Sequence, residues 1–405
     1  MDLFLIPRPK IIQTIQDALK RYPVVLLQGP RQCGKTTVAR ILHSSMGGSY
    51  FDLEDPETAL KPDAAKQALS GLRGLVVLDE IQRQPGLYAL LRVLADRPGN
   101  PARFLVLGSA SPELVHGASE TLAGRASHVS MGGFDLDEAG VENARRLWLR
   151  GGLPKSYLAE DEAASFDWRR QFIQSHLERD FPQLGVRIPS ATLRRFWIML
   201  AHYHGRIWNA SEFARSMGVK QDTALRYLDV LSGAFLVRAL PPWFENVKKR
   251  IVKSPKVYVR DSGLLHTLLG LKTEDSLLAH PGLGFSWEGF ALEQTIRLAG
   301  IERDAYFYQT HSGAELDCFF TINGGRYGFE FKFMDSPSTS KSMRSVMEDL
   351  KLNRLWVVYP GATRRPLDDR IELLPVSHLP QAVAEMKIVR RETGDRRREK
   401  RFRSN

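Results

Sequence analysis

The residues from Gly29 to Thr36 have types and a spacing suited to binding phosphate groups. They follow the pattern Gly, four residues, Gly, Lys and then Ser or Thr, directly after the apolar run from Val24 to Leu27. Glycines let the backbone approach an anion closely, and backbone N–H groups at a helix N-terminus point toward it. The pattern therefore predicts a phosphate-binding loop between a buried strand and a helix that runs from Lys35 to about His43.

The ligand predicted for this loop is ATP with Mg²⁺. Lys35 is expected to reach the β- and γ-phosphates, and the hydroxyl of Thr36 is expected to bind Mg²⁺. Backbone and side chains of the same stretch should supply the other contacts. The predicted nucleotide-binding residues are Gly29, Pro30, Arg31, Gln32, Cys33, Gly34, Lys35, Thr36 and Thr37.

A pair of carboxylates ends a second apolar strand, which runs from Gly74 to Glu80. Asp79 at the strand's end suits a role in holding Mg²⁺, and Glu80 suits a base that polarises the attacking water. Two acids at the end of a buried strand need compensation for lost solvation, which favours this role over a structural one. The pair therefore predicts ATP hydrolysis.

A third strand, from Arg103 to Leu107, is followed by Ser109, and its tip should lie where ligands of open α/β sheets bind. Ser109 could sense the γ-phosphate or hold the water, or it could cap a helix predicted from Pro112 to Leu122. An edge strand from Ala126 to Met131 follows that helix. Arg125, before it, is predicted to be an arginine finger for a neighbouring subunit, and a solvated surface arginine is the alternative.

The order of these motifs resembles that of AAA-type ATPases, which have an extra strand between the first and second nucleotide motifs, here Ser49 to Leu53. Nearly the whole chain resembles a group of prokaryotic AAA-family proteins with a C-terminal domain of unknown function of restriction-endonuclease-like, PD-(D/E)xK, type. One departure is the stretch Met131–Phe134, where a Pro-Leu type segment is expected. The matching stretches are FDLEDPETAL, VVLDEIQ, VLGSAS with TLAGRA, GGLPKSYLA, LERDFPQLG, PKVYVRDSGLLHTLLGL and AELDCFF with GFEFKF.

The predicted fold is α/β, with an AAA-type, doubly wound parallel sheet in residues 1–134. Residues 135–190 are expected to form a helical lid or connector, with a turn at Gly151–Pro154. Residues 191–280 show helix, turn with glycine, helix and then strand, the pattern of a winged helix-turn-helix. Residues 281–388 are assigned to an α/β domain of restriction-endonuclease-like type, and residues 389–405 to a basic, disordered tail.

The candidate recognition helix of the winged-helix segment runs from Gln221 to Leu231. Its outward polar residues suit phosphates and base edges, which favours DNA, and the run Lys248–Arg250 adds to that interpretation. A protein-interaction module is the alternative. The residues predicted to face outward are Lys220, Gln221, Thr223 and Arg226, and those predicted to face inward are Ala224, Leu225 and Leu228.

The C-terminal domain contains the pattern Asp317, Glu330 and Lys332 on two strands that a turn at Asn323–Arg326 places side by side. Side chains alternate along a strand, so Glu330 and Lys332 should share one face. The resemblance implies that the two carboxylates hold Mg²⁺ and that Lys332 orients or deprotonates a water, with Glu288 or Glu293 as an accessory acid. The alternative is a surface pair between Glu330 and Lys332 without catalytic function.

Composition agrees with a globular, cytoplasmic protein. No apolar run is long enough to cross a membrane, no signal peptide is recognised, and the two cysteines, Cys33 and Cys318, form no metal-ligand spacing. The formal net charge is +11, and residues 390–405 hold eight basic and three acidic residues. Such an excess favours nucleic-acid partners only modestly.

Two functional classes follow. In the first, ATP drives a homo-oligomeric machine that binds DNA through the winged helix and the C-terminal domain, with metal-dependent cleavage as a further activity. In the second, the chain is an ATP-dependent switch or scaffold that assembles protein partners, and its nuclease-like domain is not catalytic.

Overall fold

The computed structural model describes residues 6–55, 60, 62–99, 101–109, 121–244 and 252–387. Three predicted features therefore lie wholly or largely outside the described residues: the helix from Pro112, the basic run Lys248–Arg250 and the tail at 389–405. Among the described residues, no helix is long and apolar enough to cross a membrane.

The N-terminal part is a five-stranded parallel sheet in the order β2-β3-β4-β1-β5. The predicted edge strand β5 is confirmed, and β2 forms the other edge. The strands are β1 (Val24–Gly29), β2 (Ser49–Asp52), β3 (Gly74–Asp79), β4 (Ala102–Ser109) and β5 (Ala126–Ser130), and the helices are α1 (Pro9–Arg21), α2 (Lys35–Met46), α3 (Pro62–Ser70) and α4 (Leu87–Ala95).

Helices cover both faces of this sheet. Alternate residues of β1 point to opposite sides: Val25 and Leu27 pack in the same core as α1 and α2, whereas Val24 and Leu26 pack with α3 and α4. A parallel sheet buried on both faces needs apolar residues at nearly every strand position, and this is why β1 and β3 are continuous apolar runs. The doubly wound arrangement is confirmed.

A helical segment follows the sheet. It contains α5 (Leu136–Ala139), α6 (Ala144–Arg150), α7 (Pro154–Tyr157), α8 (Glu162–Ser175), a π-helical turn (His176–Asp180) and α9 (Phe181–Gln183), with one-turn 3₁₀ helices at Ile81–Arg83, Val141–Asn143 and Val376–His378 elsewhere in the described chain. Asp161 caps α8 by accepting the N–H of Ala164. The π-helical turn ends at Asp180, a residue of the candidate site.

The middle of the chain, as far as the structure describes it, contains five helices, three of them before β7, and a three-stranded antiparallel sheet in the order β6-β8-β7. The outward positions Lys220, Gln221 and Arg226 are exposed, as predicted, but Leu225 is also exposed and Tyr227 packs inward in its place. The elements are α10 (Ser190–His202), β6 (Arg206–Ile207), α11 (Ala210–Met217), α12 (Gln221–Gly233), β7 (Val237–Leu240), β8 (Lys256–Val259), α13 (Ser262–Leu268) and α14 (Glu274–Leu278).

The C-terminal sheet has six strands in the order β13-β14-β12-β11-β10-β9 and is mixed. The predicted hairpin between β10 and β11 is present, because Asn323 and Gly324 both have positive φ angles in a two-residue turn. The elements are α15 (Leu283–Ala299), β9 (Tyr306–Gln309), β10 (Glu315–Ile322), β11 (Gly325–Phe331), α16 (Lys341–Asp349), β12 (Arg354–Tyr359), β13 (Arg365–Asp368) and β14 (Ile371–Pro375), with a last helix at 379–387.

Candidate functional site

The loop from Gly29 to Lys35 joins β1 to α2 at the carboxyl end of the parallel sheet. A β-carbon on Gly29 would lie 1.9 Å from the carbonyl oxygen of Met131, so no side chain fits there. Gly34 has φ 101°, a left-handed conformation that favours glycine, and it is the residue before the first turn of α2. The loop therefore leaves the N-terminus of α2 free for an anion.

Lys35 is buried against this loop. Its Nζ donates hydrogen bonds to the carbonyl oxygens of Gly29, at 3.0 Å, and Pro30, at 2.9 Å. Among the described residues no carboxylate lies within ion-pair distance of this ammonium, although the charge of Lys35 acts on the nearby carboxylate of Glu80. A buried cation of this kind is suited to an anionic ligand such as a phosphate.

Asp79 ends β3 and is almost completely buried. The hydroxyl of Tyr50, on the adjacent strand β2, donates to Asp79 Oδ2 at 2.7 Å, and the backbone N–H of Glu80 donates to Oδ1 at 2.9 Å. Burial and this hydrogen bond raise the pKa of Tyr50 above its ordinary range. The sequence pattern gave no reason to single out Tyr50, because its contact with Asp79 depends on the pairing of β2 with β3.

Glu80 is half-buried and adopts a left-handed backbone conformation with φ 56°, which is uncommon for a residue other than glycine. Its carboxylate accepts a hydrogen bond from the side-chain amide of Gln82. Burial raises the pKa of Glu80, and the negative charge of Asp79 raises it further. A carboxylate with a raised pKa is a better proton acceptor than an ordinary one.

Two side chains of the candidate site carry the oxygen ligands that Mg²⁺ prefers. The hydroxyl of Thr36 and the carboxylate of Asp79 are hard ligands, so these residues fit a Mg²⁺ ion held together with a nucleotide. Thr36 is half-buried and Thr37 is exposed at the start of α2. The backbone of Ser109 lies beside Gly29 in the sheet register, as expected from its place at the end of β4.

Arg125 lies at the opposite end of the sheet. It precedes β5, its carbonyl accepts the N–H of Val24 at the start of β1, and its side chain pairs with Asp96 at 2.6 Å. Strands rise about 3.3 Å per residue, so Arg125 is far from the phosphate loop of its own chain. A finger role is therefore restricted to a neighbouring subunit and stays a prediction.

A carboxylate of the helical segment reaches the phosphate loop. The side chain of Arg31 forms an ion pair with Asp180, which ends the π-helical turn, and Asp180 also lies 3.0 Å from Nδ1 of His176. A cavity of about 40 Å³ separates this pair from the catalytic candidates, and its lining includes Arg31, Glu80, Gln82, His176 and Asp180. The sequence signal for this contact is limited to Asp180 within the stretch LERDFPQLG, to which the sequence pattern assigns no role.

Arg8 fixes the other side of the loop. Its guanidinium is largely buried and donates to the carbonyl oxygens of Cys33, Gly132 and Gly133, each at 3.1 Å. It also pairs with Glu138 at 2.7 Å. The phosphate loop is therefore held on one side by Arg8, which precedes β1, and on the other by the ion pair between Arg31 and Asp180. Nothing in the sequence pattern indicated Arg8.

In the C-terminal domain, the structure places the predicted residues Asp317, Glu330 and Lys332 close together. Asp317 and Glu330 are buried on neighbouring strands, Oδ2 of Asp317 accepts the N–H of Phe331 at 3.0 Å, and Nζ of Lys332 lies 2.9 Å from Glu330. Glu330 and Lys332 thus share one face, as expected. Burial and the charge of Asp317 raise the pKa of Glu330 well above its ordinary range.

Of the two candidates for an accessory acid, Glu288 lies near Asp317 and Glu293 does not. Glu288, on α15, accepts a hydrogen bond from the hydroxyl of Tyr258 at 2.6 Å and belongs to the same cluster as Asp317. Glu293 does not belong to it, because it is held by Arg238 and Arg260 on the middle sheet. The two residues are about 1.4 turns apart on α15, so their carboxylates point to different neighbours.

A lysine from the middle sheet lies among these acids. Nζ of Lys256 is 3.3 Å from Asp317, 3.5 Å from Glu288 and 2.7 Å from Glu315. Across the described residues, no three side chains of the His, Cys, Asp and Glu types form a group that could hold a metal ion. A metal ion at Asp317 would have to compete with the ammonium of Lys256, and the Mg²⁺ predicted for Asp317 and Glu330 stays a prediction.

Three family models match consecutive parts of the chain. Residues 21–140 match an AAA domain, residues 141–275 a domain of unknown function (DUF8612), and residues 283–379 another domain of unknown function (DUF4143). The AAA match agrees with the nucleotide-binding geometry of the loop. The DUF4143 match does not confirm the restriction-endonuclease-like type expected for the C-terminal domain.

Two curated proteins are similar over most of their length. They are the uncharacterized proteins Rv2008c of Mycobacterium tuberculosis and Mb2031c of Mycobacterium bovis, each 51% identical over 379 residues, which are 94% of this chain and 86% of theirs. The chain belongs to the family of these mycobacterial proteins.

Solved structures show more distant similarity. A Walker-type ATPase of Pyrococcus abyssi has a TM-score of 0.47 and 15% identity, covering 65% of this chain and 96% of its own. The RuvB Holliday junction branch migration motor of Thermotoga maritima has a TM-score of 0.29 and 18% identity, covering 58% and 90%.

Proposed function

We propose that this protein is a Mg-ATP hydrolase of the AAA type that uses its nucleotide state to change the position of its helical segment, with DNA as the partner it acts on. The observation that carries the hydrolase assignment is Glu80 at the end of β3. It follows the buried Asp79 and shares one end of the sheet with Lys35 and the phosphate loop.

Each residue has a distinct role in this proposal. The backbone N–H groups of the loop and Lys35 bind the phosphates, and Glu80 orients a water and accepts its proton. Asp79 and Thr36 hold Mg²⁺, which would neutralise charge on the phosphates when bound. Tyr50 keeps Asp79 in one orientation through its 2.7 Å hydrogen bond.

The ion pair between Arg31 and Asp180 supplies the coupling. Arg31 belongs to the phosphate loop, so a triphosphate placed there competes with Asp180 for the guanidinium. When Arg31 turns to the phosphate, the π-helical turn loses its connection to the loop. Because α9 and α10 follow this turn, nucleotide binding would be transmitted toward the middle sheet.

DNA is the partner favoured by the middle of the chain. Three helices with a three-stranded antiparallel sheet, and an exposed polar edge of α12, support the winged-helix interpretation. Lys220, Gln221 and Arg226 are available on this surface. A homo-oligomer is part of the proposal, since Arg125 can serve only a neighbouring subunit's nucleotide.

A binding and turnover assay tests the hydrolase assignment. Glu80→Gln should still bind ATP but lose turnover about 10²–10⁴-fold, the range for loss of a general base, and Lys35→Ala should lose binding. Ser44→Ala, exposed near the other end of α2, is the matched control and should keep most activity. Full turnover by Glu80→Gln, or tight ATP binding by Lys35→Ala, would contradict the assignment.

A second assay tests the partner. Duplex and single-stranded DNA should stimulate ATP turnover of the wild type and stimulate Lys220→Ala/Arg226→Ala less, while turnover without DNA stays the same. A wild type that hydrolyses ATP without any response to DNA would favour the alternative, a switch that assembles protein partners.

A further inference from the structure

The C-terminal domain contains an acidic cluster that its own strands and helix do not neutralise. Glu288 from α15, Asp317 from β10 and Glu330 from β11 are each at least nine-tenths buried, and Glu315 lies at the rim with its side chain 40% exposed. Among the described residues of the domain, Lys332 forms an ion pair with one of them, Glu330. Buried carboxylates at this density require further positive charge or protons.

The missing charge comes from another part of the chain. Lys256 belongs to β8, in the middle sheet, and its side chain is only 5% exposed. Its ammonium contacts carboxylates of Glu288, Glu315 and Asp317, at 3.5, 2.7 and 3.3 Å. One lysine thus joins the middle sheet to the same acids that a nuclease of this residue pattern would use for a cation.

The position of Lys256 is fixed by the backbone. β8 is the central strand of its sheet, and Lys256 is in register with Ile207 on one side and Leu240 on the other. Two residues further, on the same face, Tyr258 donates to Glu288. The pairing of β8 on both sides therefore places the backbone of Lys256 beside these acids.

We propose that the ammonium of Lys256 is the built-in cation of the acidic cluster, so that the C-terminal domain binds the middle sheet through this cluster instead of binding a divalent metal. The domain then acts as an anchor for the middle of the chain and does not cleave DNA. The proposal does not depend on ATP hydrolysis, since none of these residues touches the nucleotide loop.

The charges agree with this arrangement. Burial alone would lower the pKa of Lys256, but the surrounding Tyr258, Glu288, Asp317 and Glu315 together raise it well above its ordinary value, so the ammonium stays charged. Burial and the charge of Asp317 raise the pKa of Glu288 to about 7.

Mn²⁺ binding to the full chain without nucleotide tests the proposal. Bound Mn²⁺ would be counted by electron paramagnetic resonance in an Asp79→Asn background, which removes the carboxylate of the nucleotide site. The wild-type cluster should bind no Mn²⁺, so adding Asp317→Asn should change nothing. Lys256→Met removes the charge at similar length and should create one Mn²⁺ site that Asp317→Asn abolishes again.

Several results would overturn the proposal. One is a Mn²⁺ site with Lys256 intact that Asp317→Asn removes, and this comparison decides the matter even when Lys256→Met does not fold. Another is a folded Lys256→Met protein with no additional site. DNA cleavage by the wild type that requires Asp317 would also refute it. Lys256→Arg, which keeps the charge, should behave like the wild type.

Discussion

Replacing Asp180 by Asn isolates the contact between the phosphate loop and the helical segment. The amide has the same shape and can still hydrogen-bond His176, but it no longer forms an ion pair with Arg31. Because ATP must displace Asp180 from Arg31 in the proposed cycle, the variant should bind ATP more tightly than the wild type. If Asp180 instead holds Arg31 in position for the phosphate, Asp180→Asn should bind ATP more weakly than the wild type.

The size of the effect follows from burial. A hydrogen bond to a charged group contributes about 1.5–3 kcal/mol. The side chain of Arg31 is 26% exposed and that of Asp180 only 8%, so solvent screening places the pair near the lower limit. A difference of about 1.4 kcal/mol is tenfold in a dissociation constant. Asp180→Asn should therefore raise ATP affinity roughly tenfold.

The assay is an equilibrium titration with ATP in the Glu80→Gln background, where ATP is not consumed. Glu178→Gln is the matched control, because Glu178 is an exposed carboxylate in the same turn, and it should leave the affinity unchanged. Thermal unfolding would confirm that both variants are folded. Unchanged or weaker ATP binding by Asp180→Asn, with the control unaffected, would refute the competition between Asp180 and phosphate.

Two further predictions concern ionisation. ATP turnover should fall as the pH is lowered through the raised pKa of Glu80, because the base must be deprotonated to accept a proton. A pH–rate profile whose acidic limb lies at the ordinary carboxylate pKa would contradict this prediction. Burial alone would raise the pKa of Glu293, but Arg238 and Arg260 lower it to about 2. Its contribution to stability is therefore complete above about pH 4.5 and lost as the pH falls toward 2. Glu293→Gln should cost less than the about 3–5 kcal/mol of a fully broken buried pair, because Glu302 still pairs with Arg238 and Arg260. A loss below about 1 kcal/mol in urea unfolding at neutral pH would contradict this account.

The nucleotide-binding part of this protein could be predicted from local sequence patterns. The apolar runs at Val24–Leu27 and Gly74–Leu78 could only be buried strands, and the glycine and lysine spacing between the first strand and α2 has one common physical use. The places of Asp79, Glu80 and Ser109 followed from strand ends, because parallel strands bring their carboxyl ends to one edge of a sheet. The hairpin between β10 and β11 was likewise encoded locally, in Asn323 and Gly324.

The ion pairs between residues far apart in the sequence could be found only from the tertiary structure. Arg31 and Asp180 are 149 residues apart, and Lys256 and Asp317 are 61 residues apart. The tertiary structure also distinguishes Glu288, near Asp317, from Glu293, which the sequence pattern left as equal candidates. Leu225, which was predicted to face inward, is exposed. Local pattern fixes which face of a strand or helix a side chain occupies, whereas its partner depends on how whole elements pack. For this reason the loop that binds phosphate was predictable, and the lysine that neutralises the acidic cluster was not.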